Sequence, residues 1–155
     1  MKISTCLWFD TQAEEAARFY VSLFANARVI EISRYGPGQR MSEGLALVVN
    51  IEIEGARFML LNGGPMFPQS EAASICVGCD TQAEIDRLWS ALTAGGGKES
   101  MCGWLKDRFG VSWQVTPAIL GPLLSGDPAR AARVMSAFMQ MRKFDIAALQ
   151  AAARG

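Results

Sequence analysis

The sequence predicts an α+β fold in which a βαβββ module occurs twice, forming a curved, mostly antiparallel sheet that is followed by C-terminal helices. The main observation is a repeat: residues 10–14, Asp-Thr-Gln-Ala-Glu, return as residues 80–84, 70 positions further along. Each copy follows an apolar, strand-like run and precedes apolar residues at helical spacing. The resulting expectation is one domain over residues 1–155, with module 1 at about 1–65, module 2 at about 70–117 and C-terminal helices at about 118–155.

Each repeated segment is expected to open a helix. Thr11-x-x-Glu14 and Thr81-x-x-Glu84 both match a capping box, in which the Thr hydroxyl and the Glu carboxylate bind exposed backbone N–H groups. Glu54-Gly55 predicts a hairpin turn. The expected strands are 3–9, 28–34, 45–53, 56–61, 73–79, 99–101, 103–106 and 111–116, with residues 65–70 as the linker between modules.

The C-terminal region lies outside the repeat. Asp127 is expected to cap a helix with Pro128 at its first position, and that helix is expected to continue to Lys143. A last short helix is expected over residues 145–154. Apolar residues at helical spacing give the longer helix a methionine-rich side, which is typical of a core or a subunit interface and predicts a homodimer. These residues are Val134, Met135, Phe138, Met139 and Met141.

Composition excludes several functions. The chain has 155 residues, 50% of them hydrophobic and 19% charged, with a formal net charge of zero. This balance is unfavourable for a nucleic-acid partner, which requires a basic surface. No apolar run reaches the roughly 20 residues that span a bilayer, and no signal peptide is recognised, so we expect no membrane partner and a cytoplasmic protein. The absence of histidine excludes Ser-His-Asp and Cys-His catalysis and histidine-containing metal sites.

The four cysteines predict no disulfide framework. Cys76-x-x-Cys79 has the spacing of a redox or zinc motif, but Cys76 falls within a predicted strand, where positions three apart point to opposite faces. We therefore expect both to be small core residues. Cys102 is expected beside a cleft, either as a packing residue or as a reactive thiol.

Several segments resemble the PhnB-like branch of the glyoxalase/bleomycin-resistance/dioxygenase superfamily, which has the vicinal oxygen chelate fold. The most specific is Cys102-Gly103-Trp104-Leu105-Lys106-Asp107-Arg108-Phe109-Gly110-Val111-Ser112-Trp113-Gln114-Val115. The resemblance implies paired βαβββ modules, a cleft on the concave side of the sheet, and dimers. In the metal-using relatives, His or Glu side chains from four strands hold a divalent ion. The other similar segments are Leu7-Trp8-Phe9-Asp10 with Glu14-Glu15-Ala16, Phe19-Tyr20-x-x-Leu23-Phe24, Asn62-Gly63-Gly64-Pro65, the helix that begins with Asp127-Pro128, and the tail Lys143-Phe144-Asp145-Ile146-Ala147-Ala148-Leu149.

Carried over by position, the metal-ligand positions fall on Thr5, on Met59 or Leu61, on Ser74 and on Gln114. These neutral groups do not match a divalent cation, so the resemblance together with these residues implies a cleft without a metal or other cofactor. On the last strand Ser112, Gln114 and Thr116 should share one face. The complete set of cleft candidates is Thr5, Trp8, Met59, Ser74, Cys102, Trp104, Ser112 and Gln114.

The expected function is binding of a small, partly apolar metabolite, with no catalytic residue assigned. Members of this family often carry the description 3-demethylubiquinone-9 3-methyltransferase, and other relatives sequester drugs, so both remain alternatives. The sequence lacks the glycine-rich turn of a Rossmann-type methyltransferase. Lys106 and Asp107 are expected to form a solvated pair at a turn or, alternatively, a charge pair at the mouth of the cleft. Glu52, Asp107 or Cys102 facing the cleft would favour an enzyme.

Overall fold

The computed structural model describes residues 3–155, which form two compact units that divide between residues 69 and 70. Unit 1 contains β1 (Thr5–Phe9), α1 (Ala13–Leu23), β2 (Ala27–Arg34), β3 (Ala46–Ile53) and β4 (Ala56–Asn62). Unit 2 contains β5 (Ile75–Cys79), α2 (Gln82–Thr93), β6 (Lys98–Glu99), β7 (Trp104–Lys106), β8 (Ser112–Pro117), α3 (Leu120–Leu124), α4 (Pro128–Phe138) and α5 (Ile146–Arg154).

The two units share one topology. The sheet of unit 1 has the order β1-β4-β3-β2 and that of unit 2 the order β5-β8-β7-β6, so the strands occupy equivalent places. In each sheet the first and last strands pair in parallel and the other neighbours are antiparallel. The predicted α+β fold with two βαβββ modules is therefore confirmed, as two four-stranded mixed sheets with additional helices.

The core of unit 1 lies between α1 and one face of its sheet. Leu7 and Phe9 of β1 and Leu60 of β4 are at most 7% exposed, and they share this face with Val49 and Ile51 of β3. Burying such a side chain contributes about 1.5–3 kcal/mol relative to leaving it in water. The helix side that covers them consists of Ala13, Ala16, Ala17, Tyr20 and Leu23.

The first predicted capping box is wrong. The N-cap of α1 is Gln12, and no capping side chain of that segment bonds to the helix. The buried Asn62, at the end of β4, instead accepts a hydrogen bond from Ala13 N (2.8 Å) and donates to Ala46 O (2.9 Å). Glu14 turns away to pair with Arg18 and Arg34.

The second predicted capping box is confirmed at the start of α2. Thr81 Oγ1 accepts from Glu84 N at 3.2 Å, and Glu84 Oε2 accepts from Thr81 N at 2.9 Å. The equivalent of Asn62 in this unit is the strand-terminal Pro117, since Cys79 pairs with Pro117 as Phe9 pairs with Asn62. Proline has no side-chain hydrogen-bonding group, so the helix must be capped locally.

The core of unit 2 repeats the same arrangement. Trp113 and Val115 of β8 are fully buried, as is Leu105 of β7 at 1% exposure. The apolar side of α2 packs against β7 and β8. Its buried residues are Ile85, Leu88, Trp89 and Leu92.

The C-terminal helices differ from the prediction in two respects. The helix expected to reach Lys143 ends at Phe138, and the short α3 was not predicted. After the end of this helix, the carbonyls of Met141 and Arg142 accept from Cys102 N and Gly103 N, both at 2.7 Å. Within residues 3–155, each helix is too short or too polar to cross a bilayer.

Removing the two threonine hydroxyls should affect stability unequally. Thr81→Ala leaves the start of α2 without its cap and should lower the free energy of unfolding by about 1 kcal/mol, the usual cost of losing a cap. Thr11→Ala is the matched control and should change it by less than about 0.5 kcal/mol, because Asn62 caps α1. Urea denaturation measures both values, and equal losses would contradict the assignment.

Glu14 should titrate at unusually low pH. Hydrogen bonds from Arg34, and then from Arg18, lower the pKa of Glu14 from 4.5 to about 2. Since the folded pKa is below the unfolded one, this stabilisation is present above pH 4.5 and is lost as pH falls towards 2. NMR titration of the Glu14 carboxyl should show the low pKa, and Arg34→Met should raise it; an unchanged pKa in that variant would refute the ion-pair explanation.

Candidate functional site

The face of the second sheet opposite α2 has mixed polarity. Residues 113 and 115 of β8 enter the core, while Ser112, Gln114 and Thr116 share the other face, as predicted. Neighbouring strands bring Cys76 of β5 and Trp104 of β7 into register with Gln114. This set, defined here as the Gln114 face, contains Ser74, Cys76, Trp104, Ser112, Gln114 and Thr116.

Gln114 is the central polar group of this face. Its Nε2 donates to Ser74 Oγ at 2.9 Å, and Ser74 Oγ lies 3.9 Å from Cys76 Sγ. The bond to Ser74 fixes the orientation of the amide and leaves Gln114 Oε1 as an acceptor without a hydrogen bond from residues 3–155. Thr116 Oγ1 is engaged with Val77 O (3.2 Å), and the buried Ser112 Oγ with Ser70 O (3.4 Å). Gln114 Oε1 can therefore accept a hydrogen bond from a ligand donor.

A pocket of about 560 Å³ lies at the edge of the same sheet. Trp104, half-buried, contributes to both the pocket and the Gln114 face. Lys98 and Lys106 are register partners on β6 and β7, and Lys106 Nζ pairs with Glu71 Oε1 at 2.8 Å. This ion pair lowers the pKa of Glu71, chiefly through the hydrogen bond from Lys106. The residues lining the pocket are Glu71, Lys98, Glu99, Ser100, Trp104, Leu105 and Lys106.

The sequence pointed to Trp104 and, as an alternative, to Lys106 at the cleft mouth, but the other charged residues of the pocket lining were not predicted. Lys98 and Lys106 are 8 positions apart, and only the register of the two edge strands brings them together. Glu99 faces the other way, where its Oε1 accepts from Trp89 Nε1 at 2.8 Å. Strand alternation could have predicted that Lys98 and Lys106 share a face, but only if the position of the two-residue strand β6 had been known.

In unit 1 the predicted candidates lie on different faces. Thr5 shares a face with Leu7 and Phe9, whereas Cys6 and Trp8 lie on the opposite face. Cys6 is the register partner of Met59, so the strand alternation places Cys6, rather than Thr5, beside Met59. A first-strand ligand position that shares a face with Met59 would therefore fall on Cys6, one residue after Thr5.

Trp8 is held by the glycine-rich end of β4. Its Nε1 donates to Gly64 O at 2.7 Å, and its ring meets Phe67 edge-on at 4.9 Å. A Cβ on Gly63 would lie 2.1 Å from the indole, so only glycine permits this contact. Trp8 thus has a packing role within unit 1 that explains why position 63 is glycine.

The titratable groups that would favour catalysis are engaged in the structure. Asp107 is 3% exposed: its Oδ1 accepts from Phe109 N and Val111 N, and its Oδ2 accepts from Trp113 Nε1 at 2.9 Å. The expected solvated Lys106–Asp107 pair is therefore wrong, since Asp107 turns inward and Lys106 pairs with Glu71. Glu52 is paired with Arg28 and Arg57.

The cysteines have separate environments. Cys79 is buried, and desolvation raises its pKa to about 11. Desolvation also raises the pKa of Cys6. Cys76 is exposed, so the expectation that it is a core residue is wrong, while the prediction of opposite faces for Cys76 and Cys79 is confirmed. Cys102 is half-buried, with its Sγ 3.8 Å from Met139 Sδ.

The donors of the Gln114 face do not fit the divalent metal of the related enzymes. The amide and hydroxyl are neutral and bonded to each other, and Cys76 supplies one thiol. A divalent ion requires several carboxylate, imidazole or thiolate ligands to offset its dehydration. Within residues 3–155, no three His, Cys, Asp or Glu side chains come together as a metal-binding group.

Comparisons with solved structures identify the fold class. A PhnB protein from Bacillus cereus, described as a 3-demethylubiquinone-9 3-methyltransferase, is 35% identical, covers 76% of this chain and 100% of its own, and superposes with a TM-score of 0.71. The protein PA1353 from Pseudomonas aeruginosa is 23% identical, over 76% of this chain and 97% of its own, with a TM-score of 0.63. The fosfomycin resistance protein FosX from Listeria monocytogenes is 14% identical, over 76% and 90%, with a TM-score of 0.55.

The two βαβββ modules and these likenesses define the glyoxalase, or vicinal oxygen chelate, fold, and the PhnB protein at 35% identity shows that the chain is PhnB-like. The sequence profile of the family described as 3-demethylubiquinone-9 3-methyltransferase matches residues 1–116, and the chain belongs to that family. No curated protein matches the sequence.

Asp107→Asn tests whether this carboxylate is structural. The substituted amide would place an N–H₂ group against N–H donors that the carboxylate now satisfies, so we expect a loss of about 2 kcal/mol in the free energy of unfolding. Asp145→Asn, at the N-cap of α5, is the matched control and should cost less than about 0.5 kcal/mol, because Asn caps as well as Asp. Unchanged stability in Asp107→Asn, measured by urea denaturation, would contradict the structural role.

Proposed function

We propose that this protein binds a small, partly apolar metabolite on the Gln114 face, without a bound divalent metal. The observation that carries the proposal is the fixed amide of Gln114 beside the partly exposed indole of Trp104. The indole offers an apolar surface for a planar part of the ligand, and Gln114 Oε1 offers an acceptor that selects for a donor group. Binding sites for small molecules commonly combine an aromatic wall with a few fixed polar groups.

The charges beside Trp104 favour a ligand with an anionic part. Lys98 and Lys106 point to the same side of the sheet. Of these two lysines, only Lys106 has a carboxylate partner among residues 3–155. That partner, Glu71, is a two-thirds exposed side chain in a loop, so the ion pair contributes little and can exchange for a ligand anion. The pocket volume of about 560 Å³ is in the range of sites for metabolite-sized molecules.

Binding without turnover is favoured over catalysis. Asp107 and Glu52, two carboxylates that could act as a general acid or base, are already bonded to other groups, and the titratable groups beside Gln114 are the Cys76 thiol and the ammonium groups of Lys98 and Lys106. The methyltransferase in the family description is a further candidate activity, but no feature of the Gln114 face specifically favours methyl transfer. Sequestration of a ligand requires only shape, an aromatic wall and hydrogen bonds.

The probe 1-anilinonaphthalene-8-sulfonate, a planar aromatic anion, tests the proposed site directly. We expect saturable binding to the folded protein, with affinity at least about tenfold lower in Trp104→Leu, since losing a central aromatic contact costs about 1.4 kcal/mol or more. Phe67→Leu is the matched control, because Phe67 is an exposed aromatic residue of unit 1 outside the Gln114 face, and its affinity should be unchanged. Fluorescence titration measures all three, and equal affinity of Trp104→Leu and the parent protein would overturn the proposed site.

Native mass spectrometry of the purified protein identifies the natural ligand and tests the metal-free part of the proposal. We expect a small-molecule adduct that Gln114→Leu weakens, and no mass increment from zinc, nickel or manganese. A stoichiometric divalent metal would overturn the metal-free proposal, and an adduct retained equally by Gln114→Leu would move the ligand to another surface.

A further inference from the structure

Two rows of side chains cross the second sheet on the side of the Gln114 face, and they differ in charge. The first row contains Gln114 and Trp104, which are register partners on β8 and β7 and are both neutral. The second row contains Ser112, Lys106 and Lys98, on β8, β7 and β6. Since residues 104 and 106 are two positions apart on β7, the rows are about 7 Å apart. An aromatic surface and a fixed acceptor therefore lie beside a strip of positive charge.

The positive charge of the second row is only partly neutralised. Lys98 and Lys106 are directly opposite each other on antiparallel strands, an arrangement in which like charges destabilise the sheet. The carboxylate that pairs with Lys106 comes from outside the sheet, from Glu71, and among residues 3–155 no carboxylate pairs with Lys98. The two lysines are thus unfavourable for the sheet itself and favourable for an anion that binds to both of them.

The segment before β5 holds Glu71 at this place. The buried Ser112 donates through its Oγ to Ser70 O at 3.4 Å, and Ser112 is the register partner of Lys106. Residue 71 follows directly after this contact, and its Oε1 lies 2.8 Å from Lys106 Nζ. Glu71 also lines the pocket to which Trp104 contributes. Its carboxylate therefore occupies the pocket in the way that the acidic group of a ligand stacked on Trp104 could.

We propose that the ligand of this site is a planar organic acid, and that the Glu71 carboxylate takes the place of its acidic group until the ligand binds. This inference rests on the proposed function of the Gln114 face and adds the class of ligand and the protein group that it displaces. The acidic group replaces Glu71 at Lys106 and also gains Lys98, which Glu71 does not engage. Glu71 returns to water at little cost, because its side chain is already 66% exposed. A neutral ligand of the same shape gains neither ion contact.

Two probes with the same rings separate the acidic group from the aromatic part. They are 1-anilinonaphthalene-8-sulfonate and N-phenyl-1-naphthylamine, which is the same molecule without the sulfonate. In fluorescence titrations of the full chain, Glu71→Gln should raise the affinity for the sulfonate about threefold, because the competing carboxylate is gone. Lys106→Met should lower it at least about fivefold, because a charged hydrogen-bond donor is lost. Both variants should leave the affinity for the neutral probe unchanged.

The double variant distinguishes competition at Lys106 from simple repulsion of the anion by Glu71. If Glu71 competes for Lys106, the Glu71→Gln change should lose most of its effect on sulfonate affinity when Lys106→Met is present. An equal rise in both backgrounds, or no rise in Glu71→Gln alone, would overturn the proposal.

The matched controls are Asp86→Asn and Lys143→Met. These residues form another lysine–carboxylate pair of unit 2, at 2.6 Å, and Asp86 lies on α2, on the other side of the sheet. Both controls should leave the affinities for the two probes unchanged, and urea denaturation verifies that every variant is folded. A loss of sulfonate affinity in Lys143→Met as large as that in Lys106→Met would show that only overall charge matters and would overturn the proposal.

Trp104→Leu separates failure of this inference from failure of the proposed function. Binding of both probes that depends on Trp104 but is unaffected by Glu71→Gln and Lys106→Met would overturn the acid selectivity alone. Binding of neither probe, or binding unaffected by Trp104→Leu, would overturn the proposed site and this inference with it.

Discussion

The parallel pairing of the first and last strands in each module determines where the helix of that module begins and which side chains lie beside the last strand. Because β1 runs alongside β4, Phe9 and Asn62 end together, and the next residues of the chain begin α1 directly above them. The buried Asn62 side chain can then bond both to the start of the helix and to β3. In the second module the same pairing places the Gln114 face beside β5, since Cys76 and Gln114 share one register position.

The repeat and its strands could be predicted from the sequence because they depend on local patterns. Apolar alternation defined β3, β4 and β8 to within a residue or two, and Glu54-Gly55 formed the expected turn with positive φ at both positions. The capping of α1 could not be predicted, because Thr11-x-x-Glu14 matches a capping box as well as Thr81-x-x-Glu84 does. The start of α1 is capped by Asn62, which lies 49 residues after Ala13 and accepts the hydrogen bond from Ala13 N in place of a local side chain.

The candidate site shows the same division between local and distant information. Period-two alternation along a strand predicted that Ser112, Gln114 and Thr116 share one face. The hydrogen bond between Ser74 and Gln114 could not be predicted in this way, because it depends on the register of two strands whose residues are 40 positions apart. Asp107 was predicted to be a solvated residue paired with Lys106, because it begins the predicted turn Asp107-Arg108-Phe109-Gly110. Its carboxylate is instead required by backbone N–H groups and an indole N–H inside the module.

The hydrogen bonds between the Cys102-Gly103 turn and the segment after α4 make the second module dependent on the C-terminal segment. The family match ends at residue 116, yet two amides that precede β7 are satisfied by Met141 and Arg142, which lie beyond it. Phe144 also fills the space beside Gly103, where a Cβ would approach its ring to 2.4 Å. The C-terminal segment, which lies outside the matched residues, thus completes the hydrogen bonding of the second module. Hydrogen exchange at the amides of Cys102 and Gly103 would report its undocking separately from unfolding of the sheet.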